Sequence, residues 1–264
     1  MKAKIYCCLI LVLCSISCKK DKKDSVNWHT KKEAEKNATH NTLLDVEREL
    51  GWELLFDGKT LNGWHLFNNP GAASVWKVEN GTLYCAAKEE GLAHGDLVTN
   101  ESFENYELAL EWRISGRGNS GVFINVQEAP KFSAAWQTGP EYQILDPEHM
   151  DYRVETKKTG CLYGFLPQLN EAVTKTKGQW NQTKIIQNNG KVEFYLNGTM
   201  TALTDFNSKE WKKMISDSGF KDREGFGQAV KGKIALQDWY FEAWFRNIKI
   251  RPLKTQPIVS ENSL

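Results

Sequence analysis

The chain has 264 residues, with 34 Lys and Arg against 33 Asp and Glu and a formal net charge of +1. A near-neutral chain without a basic stripe is poorly suited to a phosphate backbone, which excludes nucleic acid as a partner. The sequence also lacks a G-x-S-x-G elbow, a P-loop, a dinucleotide fingerprint, zinc-spaced cysteines and the Glu-x-Asp-x-x-Glu strand of retaining jelly-roll glycosidases, which speaks against the usual chemistries of each.

Lys2 and Lys4 precede an apolar run from Ile5 to Leu13, and Ser15-Ile16-Ser17-Cys18 follows. A basic head, a short apolar stretch and small residues make a secretory signal over residues 1–17. The run is too short for a permanent membrane span. Cys18, directly after it, resembles the lipidated first residue of a bacterial lipoprotein; an ordinary secretory signal with an incidental cysteine is the alternative. Residues 18–42 open with Lys19-Lys20-Asp21-Lys22-Lys23-Asp24 and lack the apolar content to pack, so they read as a solvated tether. Only Cys85 and Cys161 fall in the part expected to fold, as a disulfide or as two buried thiols.

The folded domain is expected over residues 43–254, with a tail over 255–264. A short helix over Leu43–Leu50 leads in. Strands are predicted at Glu53–Phe56, Val75–Val78, Thr82–Cys85, Tyr106–Ile114, Val122–Val126, Glu141–Leu145, Asn181–Gln187, Val192–Leu196, Lys233–Gln237 and Trp244–Ile250, from alternating apolar positions. Asn62-Gly63, Asn80-Gly81, Asn189-Gly190 and Asn197-Gly198 punctuate them as hairpin signals. A helical excursion is expected over Ser208–Ser216. About 215 residues of this kind make one all-β domain, a sandwich or jelly roll of two antiparallel sheets.

Candidate functional residues follow the same alternation. In Tyr106–Ile114, Glu107, Ala109, Glu111 and Arg113 share the polar face, and the next strand is expected to set Phe123 and Asn125 beside them. Glu141 and Gln143 share one face of their strand, suited to gripping hydroxyls or to base catalysis, or else simply solvated. His149 sits near two acids, a general acid or base, a metal ligand or a surface residue; His94, before Gly95-Asp96, is similar. Gly160 and Gly164 bracket Tyr163 in a loop that would present its ring to a sugar or bury it. Ten tryptophans is a high count for this length; in a lectin-like sandwich some would be core and some a sugar platform.

Taken together, "GWELLFDGKTLNGW", "YELALEWRI…GNSGVFINV", "EYQILD", "TGCLYG", "GQWNQTKI", "VEFYLNG" and "IALQDWYFEAWFRNIKI" resemble the 3-keto-disaccharide hydrolase family, over Gly51 to Leu253. The resemblance implies a concanavalin A-like jelly roll and frequent attachment as a lipoprotein, here on the periplasmic or surface side of an outer membrane. It also implies cleavage of a 3-keto-glycoside or 3-keto-disaccharide by removal of the C2 proton, elimination of the anomeric group and addition of water. An oligosaccharide or glycoside is then the substrate, and a sugar 3-oxidoreductase the upstream partner. The roles it suggests are Glu141 or His149 as base, Arg113 near the enolate oxygen, and Asp238 within the catalytic group. Glu111, Asn119, Gln143, Tyr163 and Trp239 would bind substrate. A divalent cation is the one cofactor this chemistry leaves open. Two family histidines are replaced, one by Trp239 in Leu236-Gln237-Asp238-Trp239-Tyr240 and one by Phe194 in Val192-Glu193-Phe194. Their loss favours the alternative of a lectin-like sugar binder without turnover.

Overall fold

The computed structural model describes residues 40–254. The signal, Cys18, most of the tether and the tail 255–264 lie outside the described residues. In chain order the elements are α1 (Asp45–Glu49), β1 (Glu53–Leu54), β2 (Trp64–Leu66), β3 (Trp76–Glu79), β4 (Thr82–Cys85), β5 (Leu97–Thr99), β6 (Tyr106–Ile114) and β7 (Asn119–Val126). They continue with β8 (Glu141–Leu145), β9 (Asn181–Asn188), β10 (Lys191–Leu196), β11 (Thr199–Asp205), α2 (Lys209–Ser216), β12 (Lys233–Leu236) and β13 (Ala243–Pro252).

The strands form two antiparallel sheets. The larger runs β11-β10-β9-β6-β13-β4-β3, with β1 added to β13, and the smaller runs β2-β5-β12-β7-β8. Between them lies the core. β6 contributes Leu108, Leu110 and Trp112; β7 contributes Val122 and Ile124; β8 contributes Tyr142 and Ile144. These are the apolar members of alternating strands, so one face of each is driven inward and the other left for solvent or a ligand. Two polar groups carried into the core are paired: Trp112 Nε1 donates to Thr183 Oγ1 at 2.9 Å and the Tyr142 hydroxyl to the Tyr195 carbonyl at 3.3 Å.

Two alternation-based expectations need correction. β6 and β7 are not neighbours; loop 115–118 carries the chain from the larger sheet to the smaller. The polar face of β6 and the outer face of β7 therefore lie on opposite sides of the sandwich. Asn125 is not on the outer face either. It adopts φ 57°, a bulge that breaks the pairing with β12. Its buried side chain turns to Gln187 of β9, donating Nδ2–H to Oε1 at 2.7 Å and accepting from Nε2 at 3.1 Å, which ties the two sheets together.

The helices are local devices. In α1, the Leu44 N–H donates to Glu47 Oε2 at 3.1 Å, and Glu47 is ion-paired to Lys249 of β13. Asn41 is already part of the fold, ahead of the expected start at Leu43: its N–H donates to Asn247 Oδ1 at 2.7 Å and its Oδ1 accepts from the Asn247 N–H at 2.9 Å. Ser208 caps α2, its Oγ accepting from the Trp211 N–H at 3.0 Å, and the buried Trp211 pins the excursion to Phe165, Phe206 and Phe226. Cys85 and Cys161 are separate buried thiols.

Candidate active site

On the outer face of the smaller sheet lies a cavity of about 270 Å³. Its floor is Asn119 and Phe123 of β7, Glu141 and Gln143 of β8, and Gln237 just beyond β12. The period of two puts these on the face opposite Val122, Ile124, Tyr142 and Ile144. Gln237 is held level with β7 because its N–H donates to the Gly121 carbonyl at 2.9 Å and its carbonyl accepts from Ser120 Oγ at 2.8 Å. The walls come from loops and the excursion around α2: Trp136, Asp151, Tyr163, Phe220, Phe226 and Trp239.

Glu141 lies flat across Gly121. A Cβ on residue 121 would stand 2.2 Å from Glu141 Oε1 and 2.9 Å from its carboxyl carbon, so only glycine leaves room for the carboxyl. Six buried side-chain N or O atoms lack a partner among the described residues, and three of them, Glu141 Oε1, Gln143 Oε1 and Gln237 Oε1, belong to this floor. Buried polar atoms are rarely left unpaired, and such a concentration makes this floor a candidate binding surface. Burial pushes the Glu141 carboxyl well above the usual carboxylate range, the charge of Asp96 adds to this, and the Gln237 side chain opposes it. Burial also raises the Tyr163 phenol, so it keeps its proton.

A second cavity of about 230 Å³ adjoins the first, and Trp136, Gln237 and Trp239 line both. Asp238 and His94 stand in it, His94 Nδ1 2.7 Å from Asp238 Oδ2. The carboxylate is fixed by the Gly95 N–H at 3.1 Å on one oxygen and the Tyr240 N–H at 3.0 Å on the other. Asp96 lies beneath, accepting from the Ala135 N–H at 3.0 Å and the Asp238 N–H at 3.2 Å, and burial raises its carboxyl to about 7.

The structure thus brings together Glu141, Gln143, Asn119, Tyr163 and Trp239, with Asp238 in the adjoining cavity. It does not bring Arg113 or Glu111 to them. Both lie on the outer face of the larger sheet, where the Arg113 guanidinium sits over Trp244 at 4.7 Å and Trp180 at 5.2 Å, and Glu111 pairs with Arg246 at 2.7 Å. His149 is a cap: its Nδ1 accepts from the Asp151 N–H at 3.1 Å. That nitrogen is turned to the backbone of its own turn. Phe123 faces outward from β7 as read, though not beside β6; Trp136, Phe220, Phe226 and Asp96 are the residues that the sequence did not single out. No three His, Cys, Asp or Glu side chains converge as a metal site among the described residues.

The sequence profile of the 3-keto-alpha-glucoside-1,2-lyase-like domain matches residues 51–251. The 3-keto-disaccharide hydrolase of Bacteroides thetaiotaomicron is 29% identical over 206 residues, covering 68% of this chain and 71% of that protein. A crystal structure of a glycosyl-hydrolase candidate from Parabacteroides distasonis superposes with a TM-score of 0.74 at 31% identity, covering 82% of this chain and 100% of that one. A second such candidate from the same organism gives 0.62 at 26% identity, covering 76% and 99%.

Proposed function

Because the chain belongs to the family of 3-keto-alpha-glucoside-1,2-lyase-like domains, a family of carbohydrate-active enzymes, we propose that it cleaves 3-keto-glycosides at the Glu141 cavity. The carrying observation is Glu141 itself: buried, unpaired at Oε1, held in one position by Gly121, and surrounded by carboxamides. A ketone at C3 acidifies the C2 hydrogen. Glu141 takes that proton, and the electron pair passes into the C2–C3 bond with charge on the C3 oxygen. When the ketone reforms, the C1–O bond to the leaving group breaks and C1=C2 is left; water then adds across it, with its oxygen at C1 and a proton at C2.

The surroundings suit each demand. A carboxyl with a raised pKa is a stronger base once ionised than an exposed one, which a C–H proton requires. Gln143 Nε2 donates to Asn119 Oδ1 at 3.2 Å, which leaves the Asn119 amide N–H groups to meet the developing C3 oxyanion. The unpaired oxygens of Gln143 and Gln237 accept from sugar hydroxyls. Tyr163, with its proton retained, donates toward the leaving oxygen. No step is assigned to a metal, and none to Arg113, Glu111 or His149.

The test is to incubate the protein with a 3-keto-β-glucoside in D₂O and follow products by NMR, with the unoxidised glucoside as control. Released 3-keto-glucose carrying deuterium at C2, with the control intact, is the expected result. Release without deuterium would sink the C2 route, and no release across a panel of keto-sugars would sink the reaction. The second outcome would favour sugar binding without turnover, a reading supported by the half-exposed Trp239 and the exposed Tyr240 at the cavity mouth.

On sequence grounds we also propose the finer placement: a concanavalin A-like jelly roll, lipid-anchored at Cys18 to an outer membrane on its periplasmic or surface side, and supplied with substrate by a sugar 3-oxidoreductase. No helix among the described residues is long and apolar enough to cross a membrane.

A further inference from the structure

The second cavity supplies no group to the reacting atoms in the proton abstraction described above, yet it is built with care. Among the described residues, nine non-glycine residues adopt positive φ; seven are Asn, which tolerates that region, and the others are Arg117 and Tyr240, the latter at φ 61°. An aromatic residue is a costly choice there, where glycine would sit without strain. Nor is the ring used in the core: Tyr240 is 68% exposed. It lies against His94 with ring centroids 4.5 Å apart, while His94 is anchored through Nδ1 to Asp238. The outcome is an aromatic face held at the lip of a cavity walled by two carboxylates and an imidazole.

Contiguity says what belongs in it. The two cavities share Trp136, Gln237 and Trp239, and their volumes, about 270 and 230 Å³, are nearly equal. A glycoside has two halves joined through one oxygen. If the keto ring lies over Glu141, the other half must leave the first cavity past Gln237 and Trp239, which is where the second begins. We propose that the second cavity is the subsite for the leaving half of the substrate, a hydroxylated ring of hexose size, stacked on Tyr240 and hydrogen-bonded by His94. This rests on the first cavity being the seat of the keto ring. A flat aromatic face suits the apolar face of a pyranose, and His94 Nε2, which has no partner among the described residues, suits its hydroxyls.

Two measurements test this on the full chain and on Tyr240→Gly. Glycine accepts φ 61° freely, so the variant should melt no lower than the wild type, and a loss of binding will not reflect misfolding. The first measurement needs no ketone: saturation-transfer NMR with D-glucose should show binding to the wild type that the variant loses. The second compares a 3-keto-disaccharide with methyl 3-keto-glucoside; the preference for the disaccharide in kcat/KM should fall by about tenfold in the variant, the scale of one aromatic contact. Equal glucose binding by both proteins, no glucose binding by either, or an unchanged preference would overturn the subsite. Should neither keto-sugar be turned over by the wild type, the reaction proposed above fails while the glucose measurement still decides the subsite.

Discussion

The two outer faces of the sandwich use the same residue types to opposite ends. On the larger sheet, Glu111 meets Arg246 at 2.7 Å, Glu107 meets Arg251 at 2.6 Å, and Arg246 lies over Trp180 at 3.8 Å. Charges there are mostly answered by charges or rings, with Arg113 Nε the exception, although its guanidinium rests between two indoles. On the smaller sheet the polar groups are buried and left open: Glu141, Gln143 and Gln237 each keep an oxygen without a partner. Both faces are polar in sequence, but one is finished by its own neighbours and the other only by a ligand. Polarity alone therefore does not mark a site; unmet polarity under burial does.

Glu141→Gln should separate the two faces most sharply. Turnover of a 3-keto-glycoside is expected to fall by about 10²–10⁴-fold with binding retained, since a positioned base is lost and the shape is kept. Stability should move the other way. Glu141 has a raised folded pKa, so its contribution to stability is complete below the unfolded value of 4.5 and is lost as pH rises through the folded one. The variant should thus melt above the wild type at neutral pH, with the gap closing in acid; a lower melting temperature at neutral pH would contradict the buried, unmet carboxyl. Gly121→Ala comes next. Its Cβ would push the carboxyl and Cγ of Glu141 aside, and kcat should fall by about 10²-fold, the scale of a misplaced catalytic group, with a lower melting temperature because most of a buried side chain must yield. In the wild type, kcat/KM should decline by about tenfold per pH unit on the acid side, with a midpoint above the ordinary carboxylate range. The smallest effect belongs to the other face. Arg246→Ala should cost about 1 kcal/mol in denaturant unfolding and leave kcat/KM as it was. Lost turnover there would mean that the two faces are not independent.

How far the sequence carries depends on whether a signal is local. β4, β6 and β8 lie where alternation places them, and Glu141 and Gln143 share a face as read. β2 and β5 are three residues each, too short to alternate, and the second arm of the β10–β11 hairpin was missed although Asn197-Gly198 marks its turn. Arg113 and Glu111 show the deeper limit. Alternation gives the face of a strand correctly and says nothing of which sheet the strand joins, so a short loop that looks like a hairpin moved them to the far side. The cavity walls were illegible for a similar reason: Trp136 comes from the turn before β8, and Phe220 and Phe226 from the segment between α2 and β12, two stretches that meet only once the chain is folded. Asp96 has no local mark at all, since what raises its carboxyl is burial by distant segments.

The position of the last two strands has a consequence for how the molecule is made. β12 lies between β5 and β7 in one sheet, and β13 between β4 and β6 in the other. Until the final segment is in place, four earlier strands keep open edges, which are templates for association with other chains. Closure over such sequence separations is slow, because the entropy of ordering the intervening chain is lost before the contacts are gained. Residues 237–242, which join β12 to β13, carry Gln237, Asp238, Trp239 and Tyr240. The segment that seals both sheets is the one that completes both cavities, so an incompletely synthesised or partly folded chain is without the site, and ligand binding reports that the last strands have been inserted.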